Sequence, residues 1–167
     1  MIYKMKSYRY RFFDWITEIL TILFLVLICI IPIYLILKFY PLTGVIPIHY
    51  NIYGTADSYG SKWTLIIWPI IALIIYAMLT ILNGHPEMFN IPVKLTEKNE
   101  SILVNIASRT IRIVKFFTIL LFFFISIQNY EYILFKKSVI NILPILLIVG
   151  IITIIPIISI IFLNKAK

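Results

Sequence analysis

The chain has 167 residues, 62% of them apolar and 13% charged, with a mean hydropathy of +1.02. Soluble domains run nearer half apolar and a quarter charged, so a water-soluble fold of this length could not hide so much apolar surface, and a bilayer can. The net charge of +8, from 15 Lys and Arg against 7 Asp and Glu, would suggest nucleic acid in a soluble chain. Here the basic residues flank apolar runs, where they act as topology signals and headgroup contacts, and no nucleic-acid partner is expected.

A hydrocarbon core of about 30 Å needs roughly 20 helical residues at 1.5 Å each. Four runs meet that need, predicting an all-α integral membrane four-helix bundle in one transmembrane domain, 1–167, with spans near 16–37, 63–82, 112–130 and 139–163. Trp15 marks the interface at the first span. The second carries Trp63, Trp68 and Tyr76, with Pro69 near its start, and Pro144, Gly150 and Pro156 predict a kink in the fourth. In the third span only 116–130 separates Lys115 from Glu131. Arg112 and Lys115 would each cost about 2.5–3.5 kcal/mol at mid-membrane. Centring the helix on Phe122 puts Lys115 about 10 Å from the middle, where it is expected to snorkel. Between the charged flanks the spans hold no Asp, Glu, Lys, Arg or His, which argues against an ion or proton path.

Basic residues set the orientation. Lys4, Lys6, Arg9, Arg11, Lys94, Lys98, Arg109, Arg112, Lys115, Lys165 and Lys167 fall on one side, and Lys38, Lys62, Lys136 and Lys137 on the other. The positive-inside rule then puts both termini and the 83–111 loop in the cytoplasm, with loops 38–62 and 128–138 outside.

In the cytoplasmic loop, Gly84, Pro86 and Pro92 predict irregular backbone. Thr96 is a helix cap, Glu97 and Glu100 suit a first turn, and Leu103, Ile106, Thr110 and Ile113 follow helical spacing. This predicts an amphipathic helix running into the third span, with Arg109, Arg112 and Lys115 as a basic stripe at headgroup depth. The outer loop differs. Pro41 and Pro47 favour extended backbone before them, and Asn51, Gly54, Asp57 and Gly60 recur every third residue, types that tolerate tight or left-handed turns. Tyr50, Tyr53, Tyr59 and Trp63 would seat the loop at the interface, giving a compact, ordered cap.

The string Ile46, Pro47, Ile48, His49, Tyr50, Asn51, followed by Gly54, Asp57, Gly60, Ser61 and Lys62, resembles the signature of a bacterial membrane family of unknown function. That module forms the N-terminal part of SdpI-like toxin-immunity and signalling proteins. A second block, with Pro86, Glu87, Phe89, Asn90, Pro92, Val93, Asn99 and Arg109, is similar to the same family's continuation. The resemblance covers about residues 30–127 and implies a multi-pass protein of the bacterial cell membrane. It further implies an immunity or signalling role, with partner-binding residues His49, Asn51, Gly54, Asp57, Gly60 and Lys62. The full SdpI-like architecture continues with a further multi-helix module, whereas this chain has one more span.

Chemistry read from the residues is sparse. His49 with Asp57 and Asn51 is a poor zinc or calcium set, so neither metal nor other cofactor is expected. An enzymatic reading would use His49 as base, Asp57 to orient it, Lys62 to grip a lipid phosphate, and Ser58 or Ser61 if the fold assembled them. No nucleophile–base spacing supports it, so no catalytic residue is assigned. The alternatives are turn-stabilising roles for His49, Asn51 and Asp57, or recognition of a peptide toxin, a lipid headgroup or another membrane protein.

Overall fold

The computed structural model describes residues 11–38, 45–135 and 139–166. Lys4, Lys6, Arg9, Pro41, Lys136, Lys137 and Lys167, used above, lie outside the described residues. The chain is mostly helical, and among the described residues four helices are long and apolar enough to cross a membrane. In order, the elements are α1 (Phe12–Lys38), β1 (Ile46–Tyr50), β2 (Ala56–Gly60), a 3-10 segment (Lys62–Ile66), α2 (Ile67–Gly84), a short 3-10 turn (Pro86–Met88), α3 (Glu100–Phe135) and α4 (Leu143–Lys165).

Each helix starts where its residues allow. Asp14 sits in the first turn of α1, and the Arg11 backbone N–H donates to its Oδ2 at 2.8 Å, placing negative charge at the positive end of the helix dipole. Ser61 Oγ accepts from Trp63 N–H and caps the 3-10 segment that leads into α2. Pro69 and Pro144 fall in the first turns of α2 and α4, where a missing N–H costs nothing. Before α3, Thr96 and Asn99 bond reciprocally: Thr96 N–H donates to Asn99 Oδ1, and Asn99 N–H to Thr96 Oγ1. This turn delays the helix to Glu100, four residues beyond the expected cap at Thr96. The amphipathic stretch and the third span are one continuous 36-residue helix.

α3 packs against α1, α2 and α4. Leu25 and Ile28 of α1, Ala72 of α2, and Ile119 and Phe122 of α3 form the central core, with Phe24 stacked on Phe123 and Trp68 against Phe122. The helices' outward faces remain apolar, with Ile, Leu and Phe exposed along α1, α2 and α4, a surface that suits lipid.

The expectation of an all-helical chain needs one amendment. The 46–60 segment is an antiparallel hairpin, with Ile46 opposite Gly60, Pro47 opposite Tyr59, His49 opposite Ser58 and Tyr50 opposite Ala56. The register shifts on both sides of His49, as bulges do. A two-stranded hairpin is marginal alone, and this one is held to the bundle at both ends. Ile46 is buried among Leu35, Leu65 and Ile133. At the tip, Thr55 bridges to Val139, and Ile140 N–H donates to Gly54 O at 2.9 Å.

Candidate functional site

The hairpin gathers the first set of sequence-predicted residues. Asn51 Oδ1 accepts from the N–H groups of Tyr53 (2.9 Å) and Thr55 (3.1 Å), an Asx-type closure of the connecting loop. Gly54 has φ +76, and a Cβ there would run into the Ile140 carbonyl oxygen, so only glycine fits. A Cβ on Gly60 would press on the Ile48 side chain at 3.0 Å. These three residues shape backbone.

His49 and Asp57 form the polar feature of the exposed face. His49 Nδ1 lies 2.6 Å from Asp57 Oδ1, and both side chains are exposed. An ionised carboxylate only accepts, so Nδ1 carries the proton of this bond and Nε2 is the second ring nitrogen, open to a ligand. Lys62 Nζ sits 5.7 Å from the centre of the Trp63 ring. Beside the pair, Ile52 is 76% and Tyr53 79% exposed. Serine does not complete a nucleophilic set: side chains alternate along β2, turning half-buried Ser58 away from exposed Asp57, and Ser61 is the cap described above.

The second block lies toward the other end of the chain's helices and does not join the hairpin. Phe89 and Asn90 line a cavity of about 360 Å³ between α3 and α4, where Thr110 Oγ1 meets Ser159 Oγ at 2.7 Å. Pro92 is exposed. Asn99 is buried in the turn before α3, its Nδ2 donating to Lys94 O at 3.2 Å. Arg109 is half-buried and lines a cavity shared with Arg11, Asp14 and Arg112. Nearby, His85 Nδ1 lies 2.8 Å from Glu87 Oε1, and a backbone hydrogen bond followed by this histidine holds the Glu87 carboxyl below its usual range.

The largest departure from the sequence reading concerns Arg112 and Lys115. Neither snorkels; each is 1% exposed. Arg112 Nη1 lies 2.9 Å from Asp14 Oδ1, and with the Asn83 amide oriented to satisfy both neighbours, Asn83 Oδ1 accepts from Arg112 Nη2 (3.1 Å). Lys115 Nζ donates to Glu18 Oε1 (2.8 Å) and Thr80 Oγ1 (2.9 Å) and lies 4.6 Å from the centre of the Tyr76 ring. Tyr76 hydroxyl also donates to Glu18 Oε1. The charges that flank the first and third spans are therefore buried in the bundle and not extended to water, as two ion pairs joining α1 to α3 with α2 completing their hydrogen bonds. Snorkelling fails because Asp14 and Glu18 offer partners nearer than water does. Their i, i+4 spacing, matched by Arg112 and Lys115 three apart, was the available signal.

Comparison with known proteins adds one finding. Residues 27–73 match the family described as Domain of unknown function (DUF1648). The match runs from the second half of α1 through the hairpin into α2 and stops before the second block. No curated protein and no solved structure matches.

Proposed function

We propose that this chain is a multi-pass protein of a bacterial cell membrane whose hairpin recognises a peptide or protein partner in the envelope. The observation that carries this reading is the combination of fixity and exposure in residues 49–57. Asn51 and Gly54 lock the loop and dock it on Ile140, while Ile52, Tyr53 and the His49–Asp57 pair stand exposed. A rigid loop loses little entropy on binding, and exposed aromatic and apolar groups beside a polar pair suit a peptide. The resemblance to SdpI-like proteins supports immunity or signalling as its setting.

In this reading both termini and the 83–111 loop are cytoplasmic and the hairpin faces outward. Setting aside Arg112 and Lys115, whose charges are paired within the bundle, nine of the eleven basic residues counted on the inner side remain against four outside. The positive-inside argument survives the correction. A membrane-impermeant thiol reagent applied to intact cells should label Ser58→Cys and spare Ser101→Cys; labelling of Ser101→Cys would invert the orientation.

Recognition is tested by a photo-crosslinking residue at Tyr53. A discrete adduct should form in cells and vanish when His49 and Asp57 are both alanine, at equal membrane abundance. An adduct that persists in that variant removes His49 and Asp57 from the reading, and no adduct at all removes the hairpin. A second reading, turnover of a lipid or peptide at His49, is favoured only by the oriented imidazole and would require activity of purified protein that His49→Ala abolishes.

A further inference from the structure

At the end of the bundle away from the hairpin, a cavity of about 280 Å³ lies between the first turns of α1 and the 109–113 stretch of α3. Its wall holds Arg11, Arg109 and Arg112 against one carboxylate, Asp14. Asp14 and Arg112 form the ion pair described above and cancel each other. Arg11 and Arg109 therefore set the sign of the cavity. Unlike Arg112 they are accessible, the first exposed and the second half-buried. Neither neighbouring stretch of sequence supplies a further acid. The ten residues before Arg11 contain Lys4, Lys6 and Arg9 and neither Asp nor Glu, and α3 has no acid between Glu100 and Glu131. Like charges gathered beside a low-dielectric wall repel one another and concentrate anions, so the cavity is built to be filled by one.

The surroundings identify the anion. Phe12, Phe13 and Trp15 are exposed at the start of α1, and aromatic residues gathered at a helix end in this way mark headgroup depth. Phe13 is itself part of the cavity wall, so the cavity continues into the lipid-facing surface. Guanidinium forks match phosphate oxygens two at a time, and basic pockets between membrane helices suit anionic headgroups. The volume is small for a ligand pocket and fits one phosphate head with its acyl chains left in the bilayer. A zwitterionic head would bring an ammonium among guanidinium groups. We propose that this cavity binds the phosphodiester head of an anionic glycerophospholipid such as phosphatidylglycerol, with Arg11 and Arg109 gripping the phosphate. The site shares no residue with the hairpin and does not depend on partner recognition there. Only its leaflet, the inner one, rests on the orientation proposed above.

Native mass spectrometry of the full chain in detergent, titrated with phosphatidylglycerol or phosphatidylcholine of matched acyl chains, reads the lipid retained. One phosphatidylglycerol should be held saturably, with phosphatidylcholine at least several-fold weaker. Arg11→Gln and Arg109→Gln should each weaken retention about 5-fold, the worth of one basic residue near a membrane surface. Lys98→Gln makes the same charge change at an exposed residue outside the cavity, and should leave retention within about 2-fold, as local recognition requires. Equal retention of phosphatidylcholine would overturn the anionic assignment. A loss in Lys98→Gln as large as in the arginine variants would mean diffuse surface attraction, and no loss in either arginine variant would put the lipid elsewhere; both results overturn the site. Displacement by glycerol phosphate at concentrations matching the lipid would overturn the lipid assignment and leave a soluble phosphate as the ligand. Should Arg109→Gln fail to fold, Arg11→Gln decides, because Arg11 bonds Asp14 through its backbone N–H, which glutamine keeps.

Discussion

Replacing Lys115 by Met and Glu18 by Gln, singly and together, tests whether the buried pair is an energetic unit. Lys115 Nζ spends one hydrogen bond on Glu18 and one on Thr80, with the Tyr76 ring beside it. Lys115→Met leaves the Glu18 carboxylate with the Tyr76 hydroxyl as its partner in this cluster. Breaking a buried pair by removing one member costs about 3–5 kcal/mol. Glu18 keeps a 16% exposed side chain through which water can return, so the lower end, about 3 kcal/mol, is expected. Glu18→Gln should cost a similar amount by stranding the ammonium. The double variant strands neither charge, so its cost should fall well short of the sum. Neutral hydrogen bonds between membrane helices couple by about 0.6 kcal/mol and at most about 1.7 kcal/mol, and an ion pair held from water must exceed that. The assay is sodium dodecyl sulfate titration of purified protein in mixed micelles, followed by helicity for all four proteins. Additivity within about 0.5 kcal/mol would refute the buried pair and return Lys115 to the water interface.

Three further outcomes follow from the hairpin. Gly54→Ala forces a left-handed residue to carry a Cβ, at about 1–2 kcal/mol, and drives it into Ile140; hydrogen exchange at the Ile140 amide should accelerate tenfold or more, and unchanged exchange would mean the tip is not docked. Asn51→Ala should cost about 1–2 kcal/mol of local stability and expose the Tyr53 and Thr55 amides, whereas Asn51→Asp, which keeps the accepting oxygen, should protect both. Burial, with smaller contributions from Tyr132 and Tyr59, pushes the Tyr50 hydroxyl up to about 12 from 10.0. The folded hairpin holds that proton while the unfolded chain releases it, so Tyr50's contribution to stability is full below about pH 10 and is lost as pH rises toward about 12. The tyrosinate absorbance lost in Tyr50→Phe should therefore belong to the latest part of the titration, and a difference centred near pH 10 would contradict the burial.

Sequence made some of this plain and hid the rest for identifiable reasons. Long uncharged runs announce spanning helices because no other element needs them. The hairpin's turn was legible in Asn51 and Gly54, whose chemistry is local. Its strands were not: Ile-Pro-Ile-His-Tyr contains a proline and is bulged around His49, and Ala-Asp-Ser-Tyr-Gly is poor in strand formers. The docking partner of Gly54 is Ile140, far along the chain, and no local pattern points to it. The ion pairs stayed hidden because counting Arg112 and Lys115 toward one side of the membrane treats both as solvated. Lys115 and Glu18 are 97 residues apart, and only the folded bundle brings them together.

The buried face of α3 explains why that span was the hardest to read. Ser108, Arg112, Lys115, Ile119, Phe122, Ser126, Asn129 and Ile133 are all buried, and their spacing alternates between four and three. That is the seven-residue repeat by which helices keep one seam turned toward their partners. A hydropathy reading drops the polar members and finds a short apolar stretch between charges. Read as one seam, the same residues run continuously along the helix: ion pairs toward α1 and α2 near one end, Ile119 and Phe122 in the middle, amide and hydroxyl groups near the hairpin. An apolar seam against lipid would let the helices slide, since hydrocarbon packs against leucine as readily as another helix does. Polar groups that need particular partners fix the register, and the register of α3 holds the hairpin through Ile133, which packs with Ile46 of β1.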